Sequence, residues 1–243
     1  VFKTPQKDSF AARKIFIRLK EMGLTRIGIV SDNTGFGAAG KGQLEKIAPE
    51  FGMTLVANEV YDKGETDLTA IATKVKSAGV QAVINWSVVP AQSIIAKNFR
   101  QVGFEGPLFQ SHGFGNIKYV EAAGKAAEGL IFPCGRLLIA DSLPEGHPQK
   151  ALLVQYKKDY EARFKEQVST FGGHAYDAIV LLTEAIKLSG YDKAKARNSL
   201  ESLQGVVGTA GIFSMSPTEH NGLTMDSFEM LTIKDGKFTL CKP

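Results

Sequence analysis

The sequence predicts an α/β fold in which one lobe has a parallel sheet covered by helices and a second lobe is incomplete. Three observations lead to this. From residue 8 to 132, strand-like apolar runs alternate with helix-period segments, the pattern of a parallel sheet with covering helices. After residue 132 the pattern breaks, because 133–148 carries Pro133, Pro144, Pro148, Gly135 and Gly146 and has no clear period, as expected at a change of domain. Helical patterns over 148–166, 173–188 and 193–203 then follow with no strand between them. Helices without a sheet to cover make an unfinished layer.

Each element has a local cause. Asp8 or Ser9 caps a helix running to about Met22, with Ala12, Ile15, Phe16 and Leu19 on one side, and Gly23 ends it. A strand over 26–30, a helix from Phe36 to about Ala48 and a strand over 54–60 come next, with a break around Pro49 and Gly52. The unit repeats. Thr66 or Asp67 caps a helix through Ser77, 82–86 is a buried strand, 91–102 a helix and 107–110 a short strand. A weaker helix over 115–123 and a strand over 129–132 complete the lobe. The chain ends in β structure over 211–215, 227–233 and 237–240, the last two joined by Asp235-Gly236, a strong hairpin signal.

The composition narrows the function. With 243 residues, of which 44% are hydrophobic, the chain can bury one large core or two small ones. No apolar stretch approaches the roughly 20 residues that span a bilayer. The net charge of +4 comes from basic residues scattered among acids, with Arg13-Lys14 and Lys157-Lys158 as the adjacent pairs. That is a solvated surface and not a nucleic-acid stripe. Cys134 and Cys241 are too few for a disulfide framework and are not spaced as metal ligands. They read as two buried free thiols, with a disulfide between them as the alternative. His112, His147, His174 and His220 are isolated, which argues against structural zinc. No cofactor is expected. The opening VFKTPQKDSF lacks a charged-then-apolar signal region, so any targeting segment of the precursor is expected upstream.

One motif points elsewhere. Gly35-x-Gly37-x-x-Gly40 follows an apolar run, and Glu59 lies about 20 residues on, the spacing of a dinucleotide-binding fingerprint. In such a fingerprint the first glycine follows the strand at once, whereas here Ser31, Asp32, Asn33 and Thr34 intervene. Those four short polar residues suit a strand end that opens into a cleft, with Asp32, Asn33 or Thr34 able to cap the next helix. An NAD-dependent Rossmann enzyme built on Gly35, Gly37, Gly40 and Glu59 stands as the alternative reading. It lacks a Lys, Tyr or Cys at a recognisable catalytic spacing.

Taken in order, several segments resemble the substrate-binding proteins of branched-chain amino acid ABC transporters. The carrying residues are Phe2-Lys3-Thr4-Pro5, RIGIVSDNTGFG at 26–37, GETDLTA at 64–70 and GKAAEGLIF at 124–132. AYDAIVLLTEAIKLSG at 175–190, 208–213 and KDGKF at 234–238 continue the series. The resemblance implies a type I periplasmic-binding fold of two Rossmann-like lobes, here without the opening segment of the first lobe. It divides the chain into a complete ligand-binding lobe (6–130), a hinge crossing with an irregular segment (131–147), a trailing helical part of the other lobe (148–215) and a β segment returning across the hinge (216–243). The missing first-lobe segment, or another copy of the chain, would complete the fold.

The resemblance also implies a function without covalent chemistry. A small molecule is held between the lobes at the C-terminal ends of parallel strands, and closure on it is read by ABC permease subunits in the membrane. The protein would be periplasmic, or extracellular and membrane-tethered. The implied site residues are Phe36, Trp86, Ser87, Val88, His112 and Phe171. Phe36 occupies a position where the family has an aromatic against the ligand, and Phe171 one where it contributes an aromatic wall. Trp86 either stacks on the ligand or covers the sheet edge. Val88 stands where amino-acid binders have Tyr. His112 stands where they have a Glu that pairs with the ligand's α-ammonium, a role that a histidine cannot fill when protonated. The expected ligand is therefore a small carboxylate, aromatic or otherwise lacking an α-amino group, with a branched-chain or other amino acid as the alternative. His174 either faces the cleft or belongs to the helix start, and Tyr176 and Asp177 are read as packing.

Overall fold

The computed structural model describes residues 1–242. The chain forms two compact units, one of Asp8–Cys134 with the residues from Met230 onward, the other of Val1–Lys7 with Gly135–Glu229. We call them the sheet unit and the helical unit.

The sheet unit follows the predicted alternation: α1 (Asp8–Glu21), β1 (Arg26–Asp32), α2 (Gly35–Ile47), β2 (Thr54–Tyr61), α3 (Thr69–Ser77), β3 (Ala82–Trp86), α4 (Ala91–Gln101), β4 (Leu108–Gln110), α5 (Ile117–Ala123) and β5 (Ile131–Cys134). The C-terminal hairpin of β8 (Glu229–Lys234) and β9 (Lys237–Leu240) completes one seven-stranded sheet in the order β2-β1-β3-β4-β5-β8-β9. Strands β1 to β5 pair in parallel and β8 with β9 antiparallel. In the hairpin turn Asp235 and Gly236 both take positive φ, 52° and 69°, the geometry that two-residue turns of this kind require.

Apolar periodicity decides which faces are buried. On α1, Ala12, Ile15, Phe16 and Leu19 are fully buried, as their spacing predicts, and Ile27, Ile29, Val30, Val83 and Ile84 fill the central strands. Each large side chain so buried contributes about 1.5–3 kcal/mol. The order β2-β1-β3 places a topological switch point between β1 and β3, where open parallel sheets form a crevice at the carboxyl ends of the strands.

The helical unit holds α6 (Lys150–Phe164), α7 (Thr170–Ser189), α8 (Lys193–Ser202) and a two-residue ladder of β6 (Val206–Val207) with β7 (Ile212–Phe213). Its core gathers Leu181, Leu203, Phe213, Met215 and Leu223, with Phe2 against them. The buried Asp177 carboxylate accepts from Thr209 N at 2.6 Å, Thr209 Oγ1 at 3.0 Å and Ala210 N at 2.8 Å, and so fixes the turn between β6 and β7. Burial pushes its pKa up while those three bonds oppose the rise. This is the packing role expected of Asp177. The other side of α7 exposes Phe171, Ile179 and Leu182. A hollow of about 450 Å³ beside α6 is lined by Tyr156, Tyr160, Phe164 and Tyr176.

Several boundaries differ from expectation for local reasons. The helix expected from 173 begins at Thr170, because Ser169 Oγ accepts from Gly172 N at 3.4 Å. The helix expected from 115 begins at Ile117, because the Asn116 side chain accepts from Lys118 N at 2.9 Å. The strand expected over 211–215 shrinks to Ile212–Phe213. The segment expected as one C-terminal piece, 216–243, divides at 229/230. Its first part stays in the helical unit, where the Asn221 side chain donates to Lys3 O and Pro5 O, both at 2.9 Å. Neither thiol is in a disulfide, and only Cys134 is buried. Cys241, expected to be buried, is partly exposed beside the chain end.

Replacing Asp177 with Ala leaves three donors unsatisfied. The substitution should lower the stability of the helical unit by about 3 kcal/mol or more, read as an earlier urea midpoint in circular dichroism.

Candidate functional site

The site lies at the switch point and begins with Asp32, the last residue of β1. Its Oδ1 accepts from Thr34 N at 2.9 Å and from the Thr34 hydroxyl in a short hydrogen bond. Its Oδ2 accepts from Val88 N at 3.3 Å. One buried carboxylate thus joins the loop after β1 to the loop after β3. Thr34 in turn caps α2 by accepting from Gly37 N at 3.3 Å. Of the three capping candidates in the sequence, Thr34 is the one used.

This loop sets Phe36 at the start of α2, partly buried. Trp86 closes β3 and is fully buried, and His112 opens the 3-10 turn after β4, where Ser111 Oγ accepts from Gly113 N at 3.1 Å. The three rings meet. Ring centroids lie 5.8 Å apart for Phe36 and Trp86, 5.4 Å for Phe36 and His112, and 5.6 Å for Trp86 and His112, the two histidine contacts edge-on. Such geometry is favoured by ring quadrupoles at about 0.5–1.5 kcal/mol per pair. Trp86 forms the floor, and Phe36 and His112 stand above it partly open.

The other expected residues take different places. Ser87 is fully buried and serves the backbone: its Oγ accepts from Val89 N at 3.1 Å and its carbonyl from Ser111 Oγ at 2.8 Å. Val88 is partly buried, with its N–H on Asp32 and its carbonyl accepting from Tyr119 OH at 2.9 Å. Phe171 belongs to the helical unit, second residue of α7 and 42% exposed. His174, in the same unit, lies just inside the helix start. Its carbonyl accepts from Thr4 Oγ1 at 3.0 Å, and burial, aided by Lys3, pushes its pKa down to about 4.

Sequence reasoning missed the polar row beneath the site. Tyr61 OH donates to Asn85 Oδ1 at 3.1 Å, Asn85 Nδ2 to Gln110 Oε1 at 2.7 Å, and Gln110 Nε2 to the Gln92 carbonyl at 3.3 Å. Asn85 and Gln110, polar residues at or next to the ends of otherwise apolar strands, were the available signal.

The glycines of the fingerprint are also explained. A Cβ on Gly37 would lie 2.0 Å from the Asp32 carbonyl, and one on Gly40 1.9 Å from Trp86 Nε1, whereas Gly35 meets open space. The room left by Gly37 and Gly40 is filled from within, by a loop and an indole. Glu59 pairs with Lys74 at 2.9 Å. Gly37, Gly40 and Glu59 are thus occupied in packing the loop and the indole and in a surface ion pair.

A type I periplasmic-binding architecture fits this switch-point crevice, and comparison with known proteins agrees. The chain belongs to the periplasmic binding protein family, whose model matches residues 9–237. A Leu/Ile/Val-binding protein homolog from Brucella melitensis is 26% identical over 237 residues, covering 96% of this chain and 60% of its own length. An extracellular ligand-binding receptor from Rhodopseudomonas palustris HaA2 superposes with a TM-score of 0.93 at 25% identity, over 99% of this chain and 69% of that one. The branched-chain amino acid transporter substrate-binding protein of Streptococcus pneumoniae, solved with isoleucine, gives 0.80 at 23% identity, over 98% and 66%. The chain therefore spans about 60% of the length of the first curated relatives. Among the described residues no helix is long and apolar enough to cross a membrane.

Two outcomes test this geometry. Gly40→Ala should displace the Trp86 indole, costing about 1–3 kcal/mol and red-shifting the emission of the single tryptophan. For His174 the folded pKa of about 4 lies below the unfolded value. Between about pH 6.5 and 4 the unfolded chain therefore binds more protons, and stability falls as pH falls through that window. His174→Gln should flatten this part of the stability profile in denaturant melts.

Proposed function

We propose that the chain is the ligand-binding part of an extracytoplasmic solute-binding protein that captures a small carboxylate lacking an α-amino group, for import by an ABC permease. Aromatic acids suit the site best. The observation that carries this reading is the meeting of Phe36, Trp86 and His112 at the switch point, with a histidine where the resemblance implies a glutamate. The carboxylate beside that histidine, Asp8, is already engaged by it at 3.5 Å. An ammonium buried there without its own carboxylate partner would cost several kcal/mol in order of magnitude. A flat apolar ring, in contrast, can lie on Phe36 and His112 at no such cost.

In this reading the task is capture and release, with no bond made or broken. Phe171, on α7 of the helical unit, is the further aromatic of this reading. The location is periplasmic, or extracellular and membrane-tethered. The competing reading is a branched-chain amino acid binder, which the names of the Brucella and Streptococcus relatives favour.

Calorimetry on a full-length version separates the two. Benzoate-type acids are expected to bind and leucine not to. Phe36→Ala should weaken benzoate by about tenfold, the value of one lost aromatic contact. Tight leucine binding with no response to the acids would overturn the proposal.

A further inference from the structure

We infer that the turn between β6 and β7, residues 208–211, is the anchor to which the helical unit ties all three segments that cross to the sheet unit, with Gln6, Gln149 and Arg136 as positioning residues. The chain changes unit at 7/8, 134/135 and 229/230. The inference rests on the proposed function only in taking the chain to bend between its units, and it is independent of the ligand. The first crossing is held directly. Gln6, 2% exposed, donates from Nε2 to the Ala210 carbonyl at 2.9 Å, and Asn221 holds the carbonyls of Lys3 and Pro5 just before it. The second crossing lies against the first. A Cβ on Gly135 would stand 3.1 Å from Gln6 Nε2 and 3.8 Å from the Ala210 carbonyl oxygen, so a glycine lets this segment come close to the amide.

The next residue, Arg136, gathers in the third crossing. Its guanidinium donates to the Asp226 carbonyl at 2.7 Å, to Glu229 Oε1 at 2.6 Å and to Gln149 Oε1 at 3.3 Å. Gln149, 1% exposed, passes the link on by donating from Nε2 to the carbonyls of Gly208 at 2.8 Å and Thr209 at 3.4 Å. From α7 the Asp177 carboxylate accepts from the N–H groups of Thr209 and Ala210 in the same turn. One turn thus shares its polar groups with α7 and with every crossing. Buried groups give up such bonds only at the cost of their desolvation, and a connected network raises that cost. The helical side of each crossing is therefore stiff. On the other side Cys134 and Met230 already belong to β5 and β8, which are neighbours in the sheet, and Asp8 opens α1. Bending is left to the few backbone bonds at 7/8, 134/135 and 229/230, as in a hinge whose motion is absorbed at element ends.

The experiment reads motion and stability separately, without ligand. Dyes are attached at Lys97→Cys of α4 and Lys195→Cys of α8, both exposed positions, in a Cys241→Ser background. Single-molecule energy transfer is then recorded beside hydrogen exchange and urea melts. Gln149→Ala is expected to broaden the distance distribution relative to the parent and to speed amide exchange at 208–211 by about tenfold, the size of one lost buried hydrogen bond. Exchange in β1 and β3 should stay as in the parent. Arg136→Gln, at a side chain 15% exposed, should act in the same direction and carries the test alone if Gln149→Ala does not fold. Leu203→Ala, a core substitution in the same unit, should lower the urea midpoint and leave the distance distribution unchanged. A lower midpoint with the parent's distribution in the anchor variants overturns the inference, and so does equal broadening in Leu203→Ala. Since no arm contains ligand, a failure of benzoate to bind bears on the proposed function alone.

Discussion

The carboxylate of Asp32 is the constraint on which the site depends. It stands at the end of a strand buried from Ile27 onward and accepts from the loops on both sides of the switch point. A buried carboxylate is tolerated where several donors satisfy it. Asp32 meets that condition by using the N–H groups that a strand end and a helix start leave unpaired. The same bonds fix where α2 begins, and with it the position of Phe36.

Above that tie the site is an exercise in close packing. Gly40 allows the indole of Trp86 to lie against α2, and Trp86 in turn sets the level at which Phe36 and His112 rest. The result is a surface of rings backed by a polar row from Tyr61 through Asn85 to Gln110. Rings over satisfied amides make a rigid floor, because neither layer can move without losing contacts or hydrogen bonds. Asp8 stands at its edge, 3.5 Å from His112.

The helical unit follows a different logic. Asp177 and the cluster around Phe213 give it a core of its own, yet α7 keeps Phe171, Ile179 and Leu182 exposed. Scattered exposed apolar residues need no explanation, but a row on one face of a 20-residue helix is the pattern of a surface built for cover.

Much of the architecture was legible in the residues themselves. The alternation of period 2 and period 3.6 placed the strands and helices of the sheet unit, and Asp235-Gly236 marked the terminal hairpin, because those signals act over a few residues and do not wait for distant partners. Phe36 and His112 could be singled out as strand-end residues of unusual type. Their meeting with Trp86 depended on the sheet order, which brings together loops more than 20 residues apart. The same holds for Asp8 against His112, for Asp32 against Val88, and for the two glycines that resemble a nucleotide fingerprint and instead make room for Trp86 and a carbonyl. Local propensity is written in neighbouring side chains, whereas a contact between loops exists only after strands have paired in a register that hydrophobic burial over the whole lobe decides.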